Sequence, residues 1–145
     1  MKTLDGKAVV LTDPAQQRRT VLAFLSPWCE SYFEKTRPES SRRCRMLSEM
    51  LAGAANDTSL RWIGIASGLW ASEQDLRVYR DQHHIALPLT LDRDGSLFLR
   101  FGVRRVPALI VLDAAGRIER TLDIDSLKSH GIAEALGAAP APARQ

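Results

Sequence analysis

The sequence predicts an α/β fold in which a central mixed β-sheet is flanked by helices on both faces. Short apolar runs rich in β-branched and aromatic residues, such as residues 20–25, recur along the chain and are typical of buried strands. Segments of helical composition separate these runs, which is the order expected when helices connect the strands of one sheet. Near the end of the chain, the turn Ala114-Ala115-Gly116 joins two strand-like segments and predicts an antiparallel hairpin.

The strands are predicted from apolar runs that end at turn residues. The strongest run lies at residues 108–113, directly after Val106-Pro107. Its hairpin partner follows Gly116. In chain order, the predicted strands cover residues 7–11, 20–25, 60–66, 87–91, 108–113 and 117–122.

The helices are predicted from capping residues and from apolar positions three and four residues apart. Ser26-Pro27 favours a helix start, since serine can cap and proline is tolerated in the first turn. Ser72 and Asp75 form a second start signal, a capping box. Pro38 predicts a kink or break near Arg37. The predicted helices cover residues 29–50, with a second piece at residues 39–52 after the break, a segment starting at residue 72, residues 96–101, and a last helix from residue 125 or 126 to about residue 136.

The bulk properties predict one domain and exclude several classes of function. A chain of 145 residues fits a single domain at residues 1–137, followed by a disordered Pro/Ala tail at residues 138–145. Twenty Lys and Arg against seventeen Asp and Glu is too balanced for a nucleic-acid binder. No apolar stretch is long enough to span a membrane. Two cysteines without ligand spacing predict neither a disulfide scaffold nor a metal site, and no cofactor is indicated.

Three segments together resemble the thioredoxin-like superfamily, in particular its redoxin or TlpA-like branch of thiol-disulfide oxidoreductases. The first is the strand and helix start Val21-Leu-Ala-Phe-Leu-Ser-Pro-Trp-Cys29. The second is the loop Phe101-Gly-Val-Arg-Arg-Val-Pro107, and the third is the hairpin sequence Ala108-Leu-Ile-Val-Leu-Asp-Ala-Ala-Gly-Arg-Ile118. The resemblance covers about residues 4–136 and implies a thioredoxin-like fold.

The same resemblance implies roles for individual residues. Cys29 occupies the position of the nucleophilic cysteine and Pro107 that of the cis-proline, which presents the backbone of Val106 to a substrate. Trp28 and Tyr32 complete the expected substrate groove. The sequence departs from the family's Cys-x-x-Cys motif, because Tyr32 stands at the position of the second cysteine. This departure puts the usual dithiol chemistry in doubt and favours a monothiol mechanism.

Cys29 is expected to be reactive because a helix start stabilises a thiolate through unpaired amides and the helix dipole. Glu30 opposes this effect with a neighbouring negative charge. Arg104 and Arg105, in the loop expected to face Cys29, favour the thiolate. The sequence therefore predicts a lowered pKa for Cys29.

Cys44 is the only internal candidate for a second thiol. On one continuous helix, fifteen residues would separate it from Cys29 by about 22 Å, whereas a disulfide requires Cα atoms about 4.4–6.8 Å apart. A kink at Pro38 does not close that gap, so Cys44 is expected to be a buried small apolar residue. Pairing would need helix unfolding, another subunit or a sharp reversal at Pro38. Otherwise, glutathione or a partner protein must supply the second thiol.

Three functions remain open. The first is a thiol-disulfide oxidoreductase acting through Cys29 alone on protein or low-molecular-weight thiols and disulfides. The second is a redox-inactive module that holds an extended peptide between Trp28 and Val106-Pro107. The third is a peroxiredoxin-like peroxidase with an antioxidant role. Peroxiredoxins carry a Thr or Ser three residues before their reactive cysteine, and Ser26 lies three residues before Cys29. That family's proline is missing, because Leu22 stands in its place. Proteins of the similar branch are often exported, which favours a periplasmic location over a cytoplasmic one.

Overall fold

The computed structural model describes residues 2–11, 15, 17–54 and 59–127 of the chain. A five-stranded mixed sheet forms its centre, with the strands in the order β3-β2-β1-β4-β5. The strands are β1 (Arg19–Leu25), β2 (Leu60–Ser67), β3 (Leu89–Asp92), β4 (Ala108–Leu112) and β5 (Ile118–Leu122). β1 pairs in parallel with β2 and antiparallel with β4, so the sheet is mixed as predicted.

Four helices connect or flank the strands. They are α1 (Cys29–Phe33), α2 (Pro38–Ala54), α3 (Glu73–His83) and α4 (Ser96–Arg100), and a 3-10 turn follows at Ile124–Leu127. The predicted capping box is present, since the Ser72 hydroxyl accepts from the Asp75 amide and the Asp75 carboxylate accepts from the Ser72 amide. This box fixes where α3 begins after β2.

The sheet separates two apolar clusters because side chains alternate along each strand. On one face, Val21, Ala23 and Leu25 pack with apolar residues of α2 and α3, including Leu47 and Leu76. On the other face, the buried side chains of β1, β2 and β4 pack against α4 and the loop that follows it; they are Leu22, Phe24, Ile63, Ile65, Ile110 and Leu112. Helices therefore cover both faces, as the sequence predicts.

One element prediction is wrong. Residues 7–11 form no strand; their region contributes only isolated bridges, Lys2 with Ala8 and Thr3 with Thr90. The predicted break near Arg37 is present, since α1 ends at Phe33 and α2 begins at Pro38. Pro38 takes the first position of α2, where its missing amide costs no hydrogen bond. Most of the predicted last helix and the Pro/Ala tail at residues 138–145 lie outside the described residues.

Candidate active site

Cys29 and Cys44 form a disulfide bond, with their Cα atoms 6.1 Å apart. The chain reverses between Phe33 and Pro38, so that α2 runs back past α1 and presents Cys44 to Cys29. The expected separation of about 22 Å on a continuous helix is therefore wrong, and so is the expectation that Cys44 is only a buried apolar residue. A second thiol is available within the chain, which removes the premise of the monothiol mechanism.

Two polar contacts hold α1 and α2 together beside the disulfide. The Ser41 hydroxyl donates a 2.7 Å hydrogen bond to the Glu30 carbonyl oxygen. The Arg45 guanidinium donates to the Glu30 carboxylate at 3.3 Å. These contacts pair the residue after Cys29 with residues on either side of Cys44. The approach of the two sulfur atoms is thus supported by non-covalent contacts as well as by the covalent bond.

A largely apolar cavity of about 300 Å³ opens beside Cys29. We call it the Cys29 cavity. Its lining residues come from the end of β1, from α1, from the loop after β2, from α4 and from the loop before β4; they are Leu25, Ser26, Pro27, Trp28, Cys29, Tyr32, Phe33, Ser67, Trp70, Ala71, Phe98 and Val106. Cys44 is not among them. Although both cysteines are 4% exposed, the cavity gives access to Cys29 alone.

Trp28 forms one wall of the Cys29 cavity and is fixed by a polar contact. Its indole Nε1 donates a 3.0 Å hydrogen bond to the carbonyl oxygen of Trp70. Its ring also meets the Tyr32 ring edge-on, with centroids 5.1 Å apart. Trp70 and Tyr32 are themselves 71% and 65% exposed, which leaves two aromatic side chains at the rim of the cavity.

The loop before β4 contributes Val106 to the cavity lining, and the Val106–Pro107 peptide bond is cis. Pro107 itself does not line the cavity. The structure thus brings Trp28, Cys29, Tyr32 and Val106 together around one cavity and adds Cys44 behind Cys29.

The negative charge of Glu30, next to Cys29, is balanced by Arg45 and not by the predicted Arg104 and Arg105. Glu30 pairs with Arg45 of α2, and neither Arg104 nor Arg105 forms an ion pair with any described residue. Glu30 also acts on Tyr79 of α3, whose pKa is raised above its ordinary value by burial and, to a smaller extent, by the negative charge of Glu30. Glu30 therefore links α1 electrostatically to both α2 and α3.

The helix start at Cys29 also differs from expectation in its cap. Trp28 is the capping residue of α1 and makes no side-chain cap hydrogen bond. The Ser26 hydroxyl is buried and has no hydrogen-bond partner among the described residues. Ser26 instead contributes its carbonyl oxygen, which accepts from the Cys29 amide at 3.4 Å.

Sequence reasoning missed several lining residues, among them Ser67, Trp70 and Phe98, and it also missed Ser41, which joins α2 to α1. Ser67 and Trp70 come from the end of β2 and its following loop, and Phe98 comes from α4. Parallel pairing of β1 with β2 places their carboxyl ends at the same sheet edge, which is the signal that would have indicated Ser67. Ser41 has no comparable signal, since its role depends on the reversal before Pro38.

Within the described ranges, no helix is long and apolar enough to cross a membrane. In the same part of the chain, no three His, Cys, Asp or Glu side chains lie close enough together to hold a metal ion.

The fold is similar to that of several solved structures, although the sequence matches no known family. No protein-family profile and no curated protein sequence matches the chain. StoA from Bacillus subtilis superimposes with a TM-score of 0.64 at 19% identity, over 89% of this chain and 92% of that one. A secreted Mycobacterium tuberculosis disulfide oxidoreductase homologous to E. coli DsbE gives 0.63 at 22% identity, over 91% and 92%.

The exposed lipoprotein thioredoxin Etrx1 from Streptococcus pneumoniae gives a TM-score of 0.59 at 20% identity, over 96% of this chain and 97% of that one. These likenesses confirm the predicted thioredoxin-like fold.

Proposed function

We propose that the protein is a thiol-disulfide oxidoreductase that uses Cys29 and Cys44 as its redox pair. The observation that carries this proposal is the Cys29–Cys44 disulfide at the base of an apolar cavity open to Cys29. The fold shared with StoA and with the secreted disulfide oxidoreductase from Mycobacterium tuberculosis supports it. Tyr32 stands at the position of the second cysteine of the Cys-x-x-Cys motif, and Cys44 supplies the second thiol instead.

In the oxidising direction, a substrate thiolate attacks Sγ of Cys29 through the Cys29 cavity. The Cys29–Cys44 bond breaks, Cys44 leaves as a thiolate that takes up a proton, and a mixed disulfide joins the substrate to Cys29. A second substrate thiolate then attacks the substrate sulfur of the mixed disulfide and releases Cys29. Two substrate thiols become one disulfide, and the protein gains two electrons and two protons as a dithiol.

The reducing direction is the reverse sequence. The Cys29 thiolate attacks a substrate disulfide, one substrate sulfur leaves as a thiolate, and Cys44 then attacks Cys29 to release the second. All electrons pass between sulfur atoms, so the exchange requires no cofactor. Which direction operates depends on the reduction potential of the Cys29–Cys44 pair relative to that of its partner.

The remaining site residues bind and position the substrate and take no part in electron transfer. Val106 offers its backbone beside Cys29, and Trp28 forms an apolar wall that excludes water from the attacked sulfur. Tyr32 is exposed at the rim, where it contacts whatever segment follows the substrate cysteine.

Trapping of the mixed disulfide tests the proposal. In Cys44→Ser, a disulfide-containing peptide should remain attached to Cys29, because no internal thiol is left to release it. Intact mass would show the adduct, and peptide mapping would place it. Cys29→Ser is the matched variant and should form no adduct through Cys44, since Cys44 does not line the cavity. Equal adducts in both variants, or none in either, would contradict the proposed roles.

A second candidate function is a redox-inactive binding module, with the disulfide as a structural bond. The exposure of Trp70 and Tyr32 at the mouth of an apolar cavity favours it. Equilibration with glutathione mixtures separates the two. The disulfide of an oxidoreductase should have a reduction potential in the range of known thiol-disulfide proteins, about −270 to −120 mV. A structural disulfide has a reduction potential below about −300 mV and is therefore not reduced by glutathione.

The peroxidase alternative makes a different measurement decisive. In a peroxidase, hydrogen peroxide would oxidise the Cys29 thiol to a sulfenic acid and release water. The Cys44 thiol would then condense with the sulfenic acid to give the Cys29–Cys44 disulfide and a second water. Consumption of hydrogen peroxide by the reduced protein, compared with that by Cys29→Ser, tests this alternative.

The proposed compartment is an oxidising one outside the cytoplasm, such as the periplasm. Disulfides persist in such compartments and are rare in the cytosol, and two of the similar structures are a secreted protein and an exposed lipoprotein. Fractionation of the native host with alkylation of free thiols would show where the protein resides and whether the disulfide is formed there.

A further inference from the structure

The Cys29 cavity adjoins a second depression of about 220 Å³. We call it the Arg104 depression. Four residues line both spaces: Ser67, Trp70, Phe98 and Val106. The Arg104 depression adds Leu69, Gly95, Val103 and Arg104 to these. The two spaces therefore lie side by side, and we call them together the groove. Cys29 lines one of its two parts and Arg104 lines the other, while Trp70 and Val106 line both.

The charge of this groove is one-sided. Arg104 is the sole ionisable side chain among the described residues that line the Arg104 depression, and no carboxylate lines either space. Arg104 is exposed and forms no ion pair or hydrogen bond with a described residue. Most arginines of the described chain lie within 4 Å of a carboxylate, for example Arg43 with Asp125 and Arg45 with Glu30. Arg104 therefore presents an uncompensated positive charge to any occupant.

We propose that the partner in disulfide exchange is an extended peptide segment that carries an apolar side chain next to its cysteine and a carboxylate that reaches Arg104. This proposal rests on the proposed function, because Cys29 fixes one end of the groove. The apolar lining of the Cys29 cavity selects the residue beside the reacting sulfur, and the guanidinium at the far end selects the acidic group.

An extended peptide fits the groove better than a compact ligand does. The groove has a reactive sulfur at one end, an apolar middle and a cation at the other end, and successive residues of an extended chain advance about 3.3 Å each. A small apolar molecule would fill the Cys29 cavity without using Arg104. A basic peptide would place like charges together at Arg104.

The test uses synthetic peptides with one cysteine next to a leucine, blocked at both termini. Glu, Gln or Lys is placed at one position, two to four residues from the cysteine on either side. The rate at which each peptide reduces the oxidised protein is divided by its rate with oxidised glutathione, which removes differences in thiol reactivity. The best Glu peptide should react about two- to five-fold faster than its Gln counterpart, the range expected for one exposed ion pair.

Arg104→Gln should abolish this preference, and Arg105→Gln should keep it. The two variants have the same net charge, and Arg105 lines neither part of the groove, so the comparison separates a local contact from long-range attraction. A preference that is absent in the wild type, survives in Arg104→Gln, or favours Lys would overturn the inference while leaving the redox function intact.

Failure of the redox function gives a different result. In that case, no peptide exchanges at all, and the inference is measured instead as non-covalent affinity. Titration calorimetry of the Cys29→Ser/Cys44→Ser variant should then show tighter binding of the Glu peptide than of the Gln peptide, and Arg104→Gln should remove the difference. Equal affinities for the two peptides would overturn the inference in this case.

Discussion

The Ser41 hydroxyl donates a 2.7 Å hydrogen bond to the carbonyl oxygen of Glu30, and through it the first turn of α2 is attached to α1. Ser41 is 2% exposed, so this bond is shielded from water. It lies one residue from Cys29 along α1 and three residues from Cys44 along α2. The same contact would hold the two thiols close together after the disulfide is reduced.

Ser41→Ala should therefore weaken the fold and slow the return of the disulfide. Loss of the donor leaves a poorly solvated carbonyl, which costs about 1–3 kcal/mol in the free energy of unfolding. Urea denaturation of the oxidised protein measures this loss. Reoxidation of the reduced protein by glutathione disulfide should slow several-fold, because the thiols meet less often.

Ser40→Ala is the control for this prediction, since Ser40 lies in the same helix turn and makes no comparable contact with α1. Its stability and reoxidation rate should match those of the wild type. If both variants reoxidise equally fast, the Ser41 hydrogen bond does not position the thiols.

Reduction of the disulfide should lower stability without unfolding the domain. The bond joins residues 15 apart in the chain, and a loop of that length corresponds to about 3 kcal/mol of stabilisation in the chain-entropy description. Urea denaturation with and without dithiothreitol measures the difference. The Cys29→Ser/Cys44→Ser variant should resemble the reduced protein and should not respond to dithiothreitol. A response from this variant would show that the reductant acts elsewhere.

Local sequence signals predicted most of the fold. They did not predict the pairing of Cys29 with Cys44, because that pairing depends on contacts between residues far apart in the sequence. The run at residues 20–25 and the capping box at Ser72 are properties of their own sequence, and both are present in the structure. The pairing of Cys29 with Cys44 depends on the direction in which α2 leaves the turn before Pro38. Composition shows that a helix breaks at a proline but does not show whether the chain bends slightly or reverses. The reversal depends on contacts such as that between Ser41 and Glu30.

Alkaline pH should destabilise the protein through Tyr79. Burial first, and the negative charge of Glu30 second, raise the pKa of this phenol above its ordinary value of 10.0. A raised pKa in the folded state contributes stability that is complete below the ordinary value and is lost as pH rises above it. The free energy of unfolding should therefore fall above about pH 10, by up to about 1.4 kcal/mol for each pH unit.

Tyr79→Phe should remove this part of the alkaline slope, and Tyr32→Phe is the matched substitution at an exposed tyrosine. Urea denaturation in steps of pH measures all three proteins. Identical slopes for the wild type and Tyr79→Phe would show that Tyr79 is not responsible.

Gly68 sets the course of the loop that carries Trp70 to the cavity. A Cβ atom at Gly68 would lie 2.7 Å from the Cα atom and 2.8 Å from the carbonyl oxygen of Arg93. Both are backbone atoms, so Gly68→Ala must displace one loop or the other, at a cost of about 1–3 kcal/mol in stability. Since Trp70 accepts the hydrogen bond from Trp28, the displacement should also change the cavity wall. Peptide exchange at Cys29 should slow by more than the loss of folded protein explains.

Gly53→Ala is the matched substitution, because a Cβ atom there meets nothing within 4 Å. Gly53 lies in α2, where alanine is favoured over glycine by up to about 1 kcal/mol, so this variant should be as stable as the wild type or more so. Thermal unfolding and the rate of peptide exchange should be measured for both variants under conditions where each is fully folded. A Gly68→Ala protein that exchanges peptides at the wild-type rate would show that the position of Trp70 does not control access to Cys29.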